Sequence, residues 1–411
     1  MTFAPTELLT VYLESHERLK VGRLARRQRS ILFEYDPAFI ASGTEISPLK
    51  LPLKRGVFTP TEAAFEGLFG VFNDSLPDGW GRLLLDRAIA EHGIGMEQLS
   101  VLDRLAHVGR GGMGALTYEP DHSPPVSGGD ERLALDRLAK ESATILEGGS
   151  EAVFEELLQM NGSSAGARPK IVAQVSADKS RIIHGNQPLR NGFAHWMIKF
   201  AASQDPGDIG AIEYAYSLMA RAAGVEMPET HVFRAKKRQG YFGAKRFDRQ
   251  GDQRIHMHSL SGLIHADHRT PSLDYNLILR VVLALTKDIT EVEKAYRLAC
   301  FNVLAYNRDD HAKNFSFLLD LRDPGRAWKF SPAYDLTFSN GPGGEQASLV
   351  MGEGRSPGIP QLRALGKEHN LKQAANILER VQSAVSRWKG FADEAGVTAK
   401  STREIGRKIG S

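Results

Sequence analysis

The sequence predicts an α+β protein, and three observations predict it. Short runs of β-branched and aromatic residues fill 8–58 and 163–247. Apolar residues at three and four spacing dominate after Ser272. Pro-Pro and Gly-Gly fall together in DHSPPVSGGD, residues 121–130, which marks a linker. With 411 residues the chain has material for two or three compact cores. The patterns divide it into a strand-rich part with helices at 1–120, a linker with the start of a connecting helix at 121–150, a second strand-rich part at 151–255 and a helical part at 256–411. A cleft between lobes is the expected place for a site.

Taken in order, LLTVYL, RLKVGRLA and SILFEY read as strands, with SHERLK as a hairpin tip. The basic run Arg23–Arg29 fits a solvated strand face better than a phosphate contact. AAFEGLFGVFNDSLPDGWGRLLLDRAIAEHG and MEQLSVLDRLAHVG have helical spacing, with SLPDGWG a turn by its Pro, Asp and Gly content. One helix is expected from about Glu131 to Met160. KIVAQV, AHWMIKF, THVFRA and YFGAKRF read as strands, interrupted by the helix AIEYAYSLMARAAG, which Gly224 closes. Beyond Ser272 only FSFLLD and AWKFSPAYDL depart from helix.

Composition excludes several classes. Hydrophobic content of 42% and charged content of 25% are those of an ordinary globular chain. A net charge of +3, from 52 basic and 49 acidic residues, is too small to argue for nucleic acid. A single cysteine, Cys300, excludes an intramolecular disulfide and fits a reducing, cytoplasmic setting. MTFAPTELLTVYLESHERLK lacks the basic and apolar regions of an export signal, and LILRVVLAL is short and broken by Arg280. The expectation is a soluble cytoplasmic protein without a membrane span.

Chemistry concentrates in a few places. Gly109, Gly111 and Gly114 match G-x-G-x-x-G literally, but they follow a helical run and precede strand-like ALTYE, the reverse of a dinucleotide site. They read as a tight turn. NGSSAGARPK, residues 161–170, has small residues whose backbone N–H groups can approach phosphate closely, with Arg168 and Lys170 adding positive charge. It is not a Walker A loop, and a plain turn explains it equally well. In AHWMIKF, alternation puts His195, Met197 and Lys199 on one face. Lys199 either reaches solvent or pairs with nucleotide phosphates, as the third-strand lysine of protein kinases does, with Glu213 a partner by analogy of order.

The densest stretch is NRDDHAKNFSFLLD. Asp309 and Asn314 are five positions apart, the D-x-x-x-x-N spacing of a kinase catalytic loop. There a carboxylate accepts the proton of the substrate hydroxyl, and an amide oxygen binds Mg²⁺. Lys313 would neutralise charge on the transferred group. A strand pair turned at Asp323-Pro324-Gly325 would return Asp335 of SPAYDL beside Asn314, where a second metal-binding carboxylate belongs. His256, His258, His265 and His268 carry H-x-H and H-x-x-H, yet no H-E-x-x-H or paired cysteine supports zinc; a connection between lobes is the preferred reading.

NRDDHAKNFSFLLD, SPAYDL, SSAGARPK and MIKF, with FNDSLPDGWGR and LAHVGRGGMGALTYEP toward the N-terminus, resemble the HipA family over nearly the whole chain. Its members are serine/threonine kinases that act as toxins of type II toxin–antitoxin modules. The resemblance implies a two-lobed HipA-like fold related to atypical protein kinases, with ATP and Mg²⁺ as cofactors. It implies Asp309 as catalytic, His311, Ala312, Lys313 and Asn314 as the HAKN stretch, and Asn314 and Asp335 as metal ligands, with Tyr334 touching nucleotide. Ala165, Gly166, Ala167, Arg168, Pro169 and Lys170 correspond to the phosphate-binding loop, and Lys199 to the ATP-contacting lysine. Ser163, or its neighbour Ser164, stands where the family has an autophosphorylated serine. The family often has acidic residues where this chain has HMHSLSG; adenine binding there is mainly through backbone groups, so His258, Ser259 and Leu260 remain the implied contact. Implied partners are a HipB-like helix-turn-helix antitoxin, operator DNA through it, and a protein substrate such as an aminoacyl-tRNA synthetase. The rival readings are a kinase of a small molecule or lipid, and a non-catalytic ATP-binding co-repressor subunit.

Overall fold

The computed structural model describes residues 5–28, 30–60, 64–91, 99–123, 133–149, 157–158, 160, 166, 168–185, 187–236, 240–266 and 273–410. They form two compact units, one from Met1–Gln204, Lys245–His265 and Leu319–Arg326, the other from Asp205–Ala244, Ala266–Leu318 and Ala327–Ser411.

The first unit opens with a five-stranded antiparallel sheet. Its strands are β1 (Leu8–Glu14), β2 (Arg18–Arg27), β3 (Ser30–Tyr35), β4 (Val57–Phe58) and β5 (Leu116–Glu119), in the order β4-β3-β2-β1-β5. Alternation sends Leu9, Val11 and Leu13 of β1 into the core. Of SHERLK only Ser15, His16 and Glu17 form the β1–β2 hairpin tip, since Arg18, Leu19 and Lys20 already pair with β1; Arg23, Arg26 and Arg27 lie exposed along β2, as a solvated face requires.

The helical stretch after β4 is more broken than its spacing suggests. It contains a 3-10 turn at Ala64–Gly67 and short and long helices at Gly70–Asn73 and Gly79–Glu91. The longer one takes Gly79 and Trp80 out of the expected SLPDGWG turn, because Pro77 is the last residue that a helix interior would reject. The helix Val101–Val108 starts on a Ser100–Asp103 capping box. Gly109 follows it with a φ of +49°, and the glycines lead into β5 as a turn.

The helix expected to run from Glu131 to Met160 instead stops after Leu135–Leu146. Gly148, with a φ of +94°, follows the stop. Most of the linker, residues 124–132, lies outside the described residues. A second antiparallel group in this unit has β6 (Lys170–Ser176) between β7 (Ile182–His184) and β8 (Phe193–Lys199). Every residue of β6 is buried, while β8 buries Trp196 and Ile198 and leaves His195, Met197 and Lys199 partly accessible.

A buried ion cluster ties the glycine turn to residues 246–254. The Asp248 carboxylate accepts two bonds from Arg246, at 2.9 and 2.7 Å, one from Arg249 at 2.8 Å and one from the Gly114 N–H at 2.7 Å. Burial alone would raise its pKa, yet Arg246 and Arg249 hold it well below the usual carboxylate range.

The second unit is mainly helical. Its helix Ile209–Ala222 is closed by Gly224 in the left-handed region, and Thr230–Phe233 pairs antiparallel with Tyr241–Lys245. Helices follow at Tyr275–Thr286, Ile289–Leu304, Ile359–Glu368, Ala374–Val385, Trp388–Ala395 and Ala399–Ile409. Tyr216, Phe301 and Trp388 pack edge-on in the core, and the Tyr216 hydroxyl donates to the Ala305 carbonyl at 2.6 Å. The Asp208 carboxylate anchors the last helix by accepting from the Thr398 N–H and the Ser401 hydroxyl. Cys300 is buried, and burial pushes its thiol up to about 12. Among the described residues no helix is long and apolar enough to cross a membrane.

Removing the hub of the ion cluster strands two guanidinium groups in the interior. Asp248→Ala is expected to lower the unfolding free energy by about 3–5 kcal/mol in a urea melt.

Candidate active site

The loop that carries Asp309 begins where the helix Ile289–Leu304 stops. Tyr306 turns the chain with a φ of +56°, and the Asn307 N–H bonds back to the Asn302 carbonyl at 2.8 Å. Asp309 and Asp310 then face opposite ways, Asp309 exposed and Asp310 fully buried. One Asp310 oxygen accepts from the Tyr275 hydroxyl at 2.6 Å and the Gln346 amide at 2.8 Å; the other accepts from the Ser348 N–H at 3.1 Å. The network continues outward. Asn302 donates to the Tyr275 oxygen, Asn307 donates to the Asn302 side-chain oxygen, and Gln346 also donates to the Asn307 carbonyl. Burial pushes the Asp310 carboxyl up to about 6, although the three donors pull the other way.

Beyond Asp310 the chain makes a single 3-10 turn, Ala312–Asn314, capped by His311, whose Nδ1 accepts from the Lys313 N–H at 3.3 Å. The turn points Asn314 back across the loop. Its amide NH₂ donates to the Asp309 carbonyl at 2.6 Å, so its oxygen is directed away from that bond, as a hard cation requires. Ala312 is buried, while His311, Lys313 and Asn314 are half-buried.

The strands Ser316–Leu319 and Trp328–Phe330 are neighbours, as FSFLLD and AWKFSP predict, and the Ser331 N–H donates to the Ser316 carbonyl at 2.9 Å. This return brings Tyr334 onto the loop. Its hydroxyl donates to the Lys313 carbonyl at 2.6 Å, which leaves Ser316 as the donor of the 2.6 Å bond between their hydroxyls. Asp335 follows with a φ of +58°, a left-handed conformation that costs about 1–3 kcal/mol in a non-glycine residue and recurs at functional sites.

The remaining candidates belong to the first unit. Ser163, Ser164, Ala165 and Ala167 lie outside the described residues. Gly166 has a φ of +107°, and a Cβ placed on it would sit 2.6 Å from the Lys170 Nζ, so the loop backbone crosses directly over that ammonium group. The Gly166 N–H donates to the Asp78 carboxylate, and its carbonyl accepts from the Trp80 N–H at 3.2 Å. Arg168 is half-buried, and Pro169 and Lys170 are buried. Lys170 and Lys199 are register partners of β6 and β8, so their side chains leave the same face. His258, Ser259 and Leu260 are buried; both ring nitrogens of His258 are engaged, by Asp74 and Ser47. His256 and His265 bond to the Ile46 carbonyl and the Gly70 N–H, and His268 lies outside the described residues. Among the described residues no group of three or more His, Cys, Asp or Glu side chains is placed to hold a metal.

Asp310, its partners Tyr275, Gln346 and Ser348, Asn302 behind Tyr275, and the loop anchor Asp78 escaped the sequence reading. Only the Asp309–Asp310 doublet hinted at them; the rest carry no motif.

The two neighbouring aspartates should respond differently to substitution. Asp310→Ala leaves the Tyr275, Gln346 and Ser348 donors without an acceptor and should cost about 3 kcal/mol or more in a urea melt; Asp309→Ala should stay within about 0.5 kcal/mol. The folded pKa of Asp310 lies above the ordinary 3.8, so its stabilising proton is fully effective below about pH 4 and lost above about pH 6. Relative to Asp310→Asn, the wild type should therefore lose about 3 kcal/mol across that window, measured by unfolding at stepped pH.

Residues 9–119 match the family model described as the HipA N-terminal domain, and residues 162–388 match that of the HipA-like C-terminal domain. The structure is similar to HipA of Shewanella oneidensis MR-1, solved with HipB and its operator DNA. That likeness covers 98% of this chain and 94% of that chain, at 16% identity and a TM-score of 0.69, and it is one of fold. A slighter likeness, to the Helicobacter pylori proinflammatory kinase CtkA, covers 54% of this chain and 86% of that one at 13% identity; with a TM-score of 0.34 nothing rests on it. No curated protein matches the chain in sequence. The C-terminal model alone spans more than half of the residues, and the N-terminal model adds most of the rest: the chain belongs to the HipA family.

Proposed function

We propose that the chain is an ATP-dependent serine/threonine protein kinase and the toxin of a toxin–antitoxin pair. The observation that carries this reading is the arrangement around Asn314. Its NH₂ is bound back to the Asp309 carbonyl, and Tyr334, the neighbour of Asp335, is bonded to the Lys313 carbonyl. One loop thus presents an exposed carboxylate and an outward amide oxygen, and a second carboxylate belongs to the segment docked on it.

In this reading Asp309 orients the acceptor hydroxyl and takes its proton. Asn314 and Asp335 are the oxygen donors for a magnesium ion, which would supply charge neutralisation at the phosphates of ATP. Two protein oxygens suit Mg²⁺, which keeps water and phosphate ligands. Lys170, Lys199, Arg168 and the backbone of residues 165–167 bear the triphosphate, and paired lysines on one strand face are the electrostatics an anion favours. Lys313 offsets charge on the group in transfer, and backbone groups of His258, Ser259 and Leu260 receive the adenine. Positioning and charge neutralisation then supply most of the rate. The acceptor is a Ser or Thr of a cellular protein, an aminoacyl-tRNA synthetase first among those to test, and Ser163 or Ser164 of the chain itself. The solved relative was crystallised with HipB and operator DNA, which supports a small helix-turn-helix antitoxin as partner.

Purified protein incubated with γ-labelled ATP and cell lysate should label a protein on Ser or Thr. Asp309→Asn and Asp335→Ala should each lower that labelling by at least about a hundredfold. Undiminished labelling by Asp309→Asn would remove the base assignment. Transfer to a metabolite alone would favour a small-molecule kinase, and ATP binding without transfer a co-repressor subunit.

A further inference from the structure

The near-neutral total charge conceals an uneven distribution. Residues 359–410 carry ten basic and five acidic side chains, while the rest of the chain carries 42 and 44. All ten of those basic side chains are exposed, and among the described residues none of them is in an ion pair. Exposed arginines elsewhere find carboxylates: Arg18 meets Glu119, and Arg110 meets Glu14 at 3.1 Å.

The charge is most ordered on the last helix, Ala399–Ile409. Thr398 caps it by accepting the Ser401 N–H at 3.3 Å, Gly410 closes it with a φ of +71°, and Ser401, Ile405 and Gly406 turn inward. On the opposite side Lys400, Arg403 and Arg407, at offsets of three and four, form one exposed row that spans about 10 Å along the axis. Glu404 is the one acid on this helix. It stands four positions from both Lys400 and Lys408, and among the described residues it pairs with neither. Lys408 is drawn aside, with its ammonium 5.7 Å from the centroid of the Tyr306 ring.

Local stability does not account for the row. A helix favours cations in its last turn, which suits Arg407 and Lys408; Lys400 sits in the first turn, where the positive end of the helix dipole repels it. The helix has no aromatic side chain to stack on a base and no Asn or Gln to read a base edge. What it offers is a straight line of unpaired positive charge, the complement of regularly spaced phosphates on a rigid duplex.

We propose that the exposed face of the Ala399–Ile409 helix is a contact surface for the phosphate backbone of duplex DNA, engaged without regard to base sequence. The contact belongs to this chain, needs no antitoxin and is independent of phosphoryl transfer.

The test is fluorescence anisotropy of a labelled duplex of about two helical turns and arbitrary sequence, titrated with the full-length protein between about 50 and 200 mM salt. Three variants are compared with wild type: Lys400→Gln/Arg403→Gln/Arg407→Gln, Glu404→Lys, and Arg23→Gln/Arg26→Gln/Arg27→Gln, which removes as much charge from exposed positions on β2. The first should bind about tenfold or more weakly at low salt and reduce the slope of log K against log salt by about two to three. Glu404→Lys, which widens the row, should bind about threefold tighter, and the β2 variant should stay within about twofold of wild type. If the first variant does not fold, Glu404→Lys carries the comparison. No binding by wild type, an equal loss in the β2 variant, or unchanged affinity in Glu404→Lys overturns the proposal. So does competition by a single strand of the same length, or by polyglutamate, as strong as that by unlabelled duplex. None of these outcomes touches the kinase reading.

Discussion

The Asp310 carboxylate, taken out of water and met by three donors from two separate stretches of chain, is the constraint on which the loop from Asn307 to Asn314 depends. Burying an ionised carboxylate without partners costs several kcal/mol, so the fold tolerates it only where its lone pairs are used. Tyr275, Gln346 and the Ser348 N–H use them. Because Asp310 is held inward at a fixed place, Asp309 is turned to the surface and the following turn must bring Asn314 back over the Asp309 carbonyl. The geometry of Asp309 and Asn314 thus follows from the buried neighbour between them.

The same device recurs through both units. Asp103 accepts the Thr6 N–H, Asp248 the Gly114 N–H, Asp74 the Ser259 N–H and Asp208 the Thr398 N–H. Each joins positions at least 97 residues apart in sequence, and each spends a charge on a main-chain donor that no helix or sheet would otherwise satisfy. Irregular segments are pinned in this way without being made regular.

What was legible in the sequence was local. The hairpin at SHERLK, the glycine stop at Gly224 and the turn at Gly109 depend on residues within a few positions of one another. The Asp309–Asn314 relation was legible for the same reason, since one 3-10 turn closes it. What escaped was long-range or a matter of competing local terms. The partners of Asp310 lie 35, 36 and 38 positions away, and nothing in Tyr275 or Gln346 marks them as its donors. The histidines of RIHMHSLSGLIH look clustered on paper, yet each bonds to a different group within residues 46–74. At Gly148 and Gly149, two adjacent glycines outweighed an otherwise continuous helical spacing.

Cys300 has a practical consequence. Its thiol is buried in the second unit and held protonated far above neutral pH, so maleimides and mild oxidants find almost no thiolate to attack. A cysteine engineered onto the surface would then be the one reactive handle in the molecule. Fluorophores or spin labels placed one at a time would report local mobility, and placed in pairs would report distances within either unit, against a silent background.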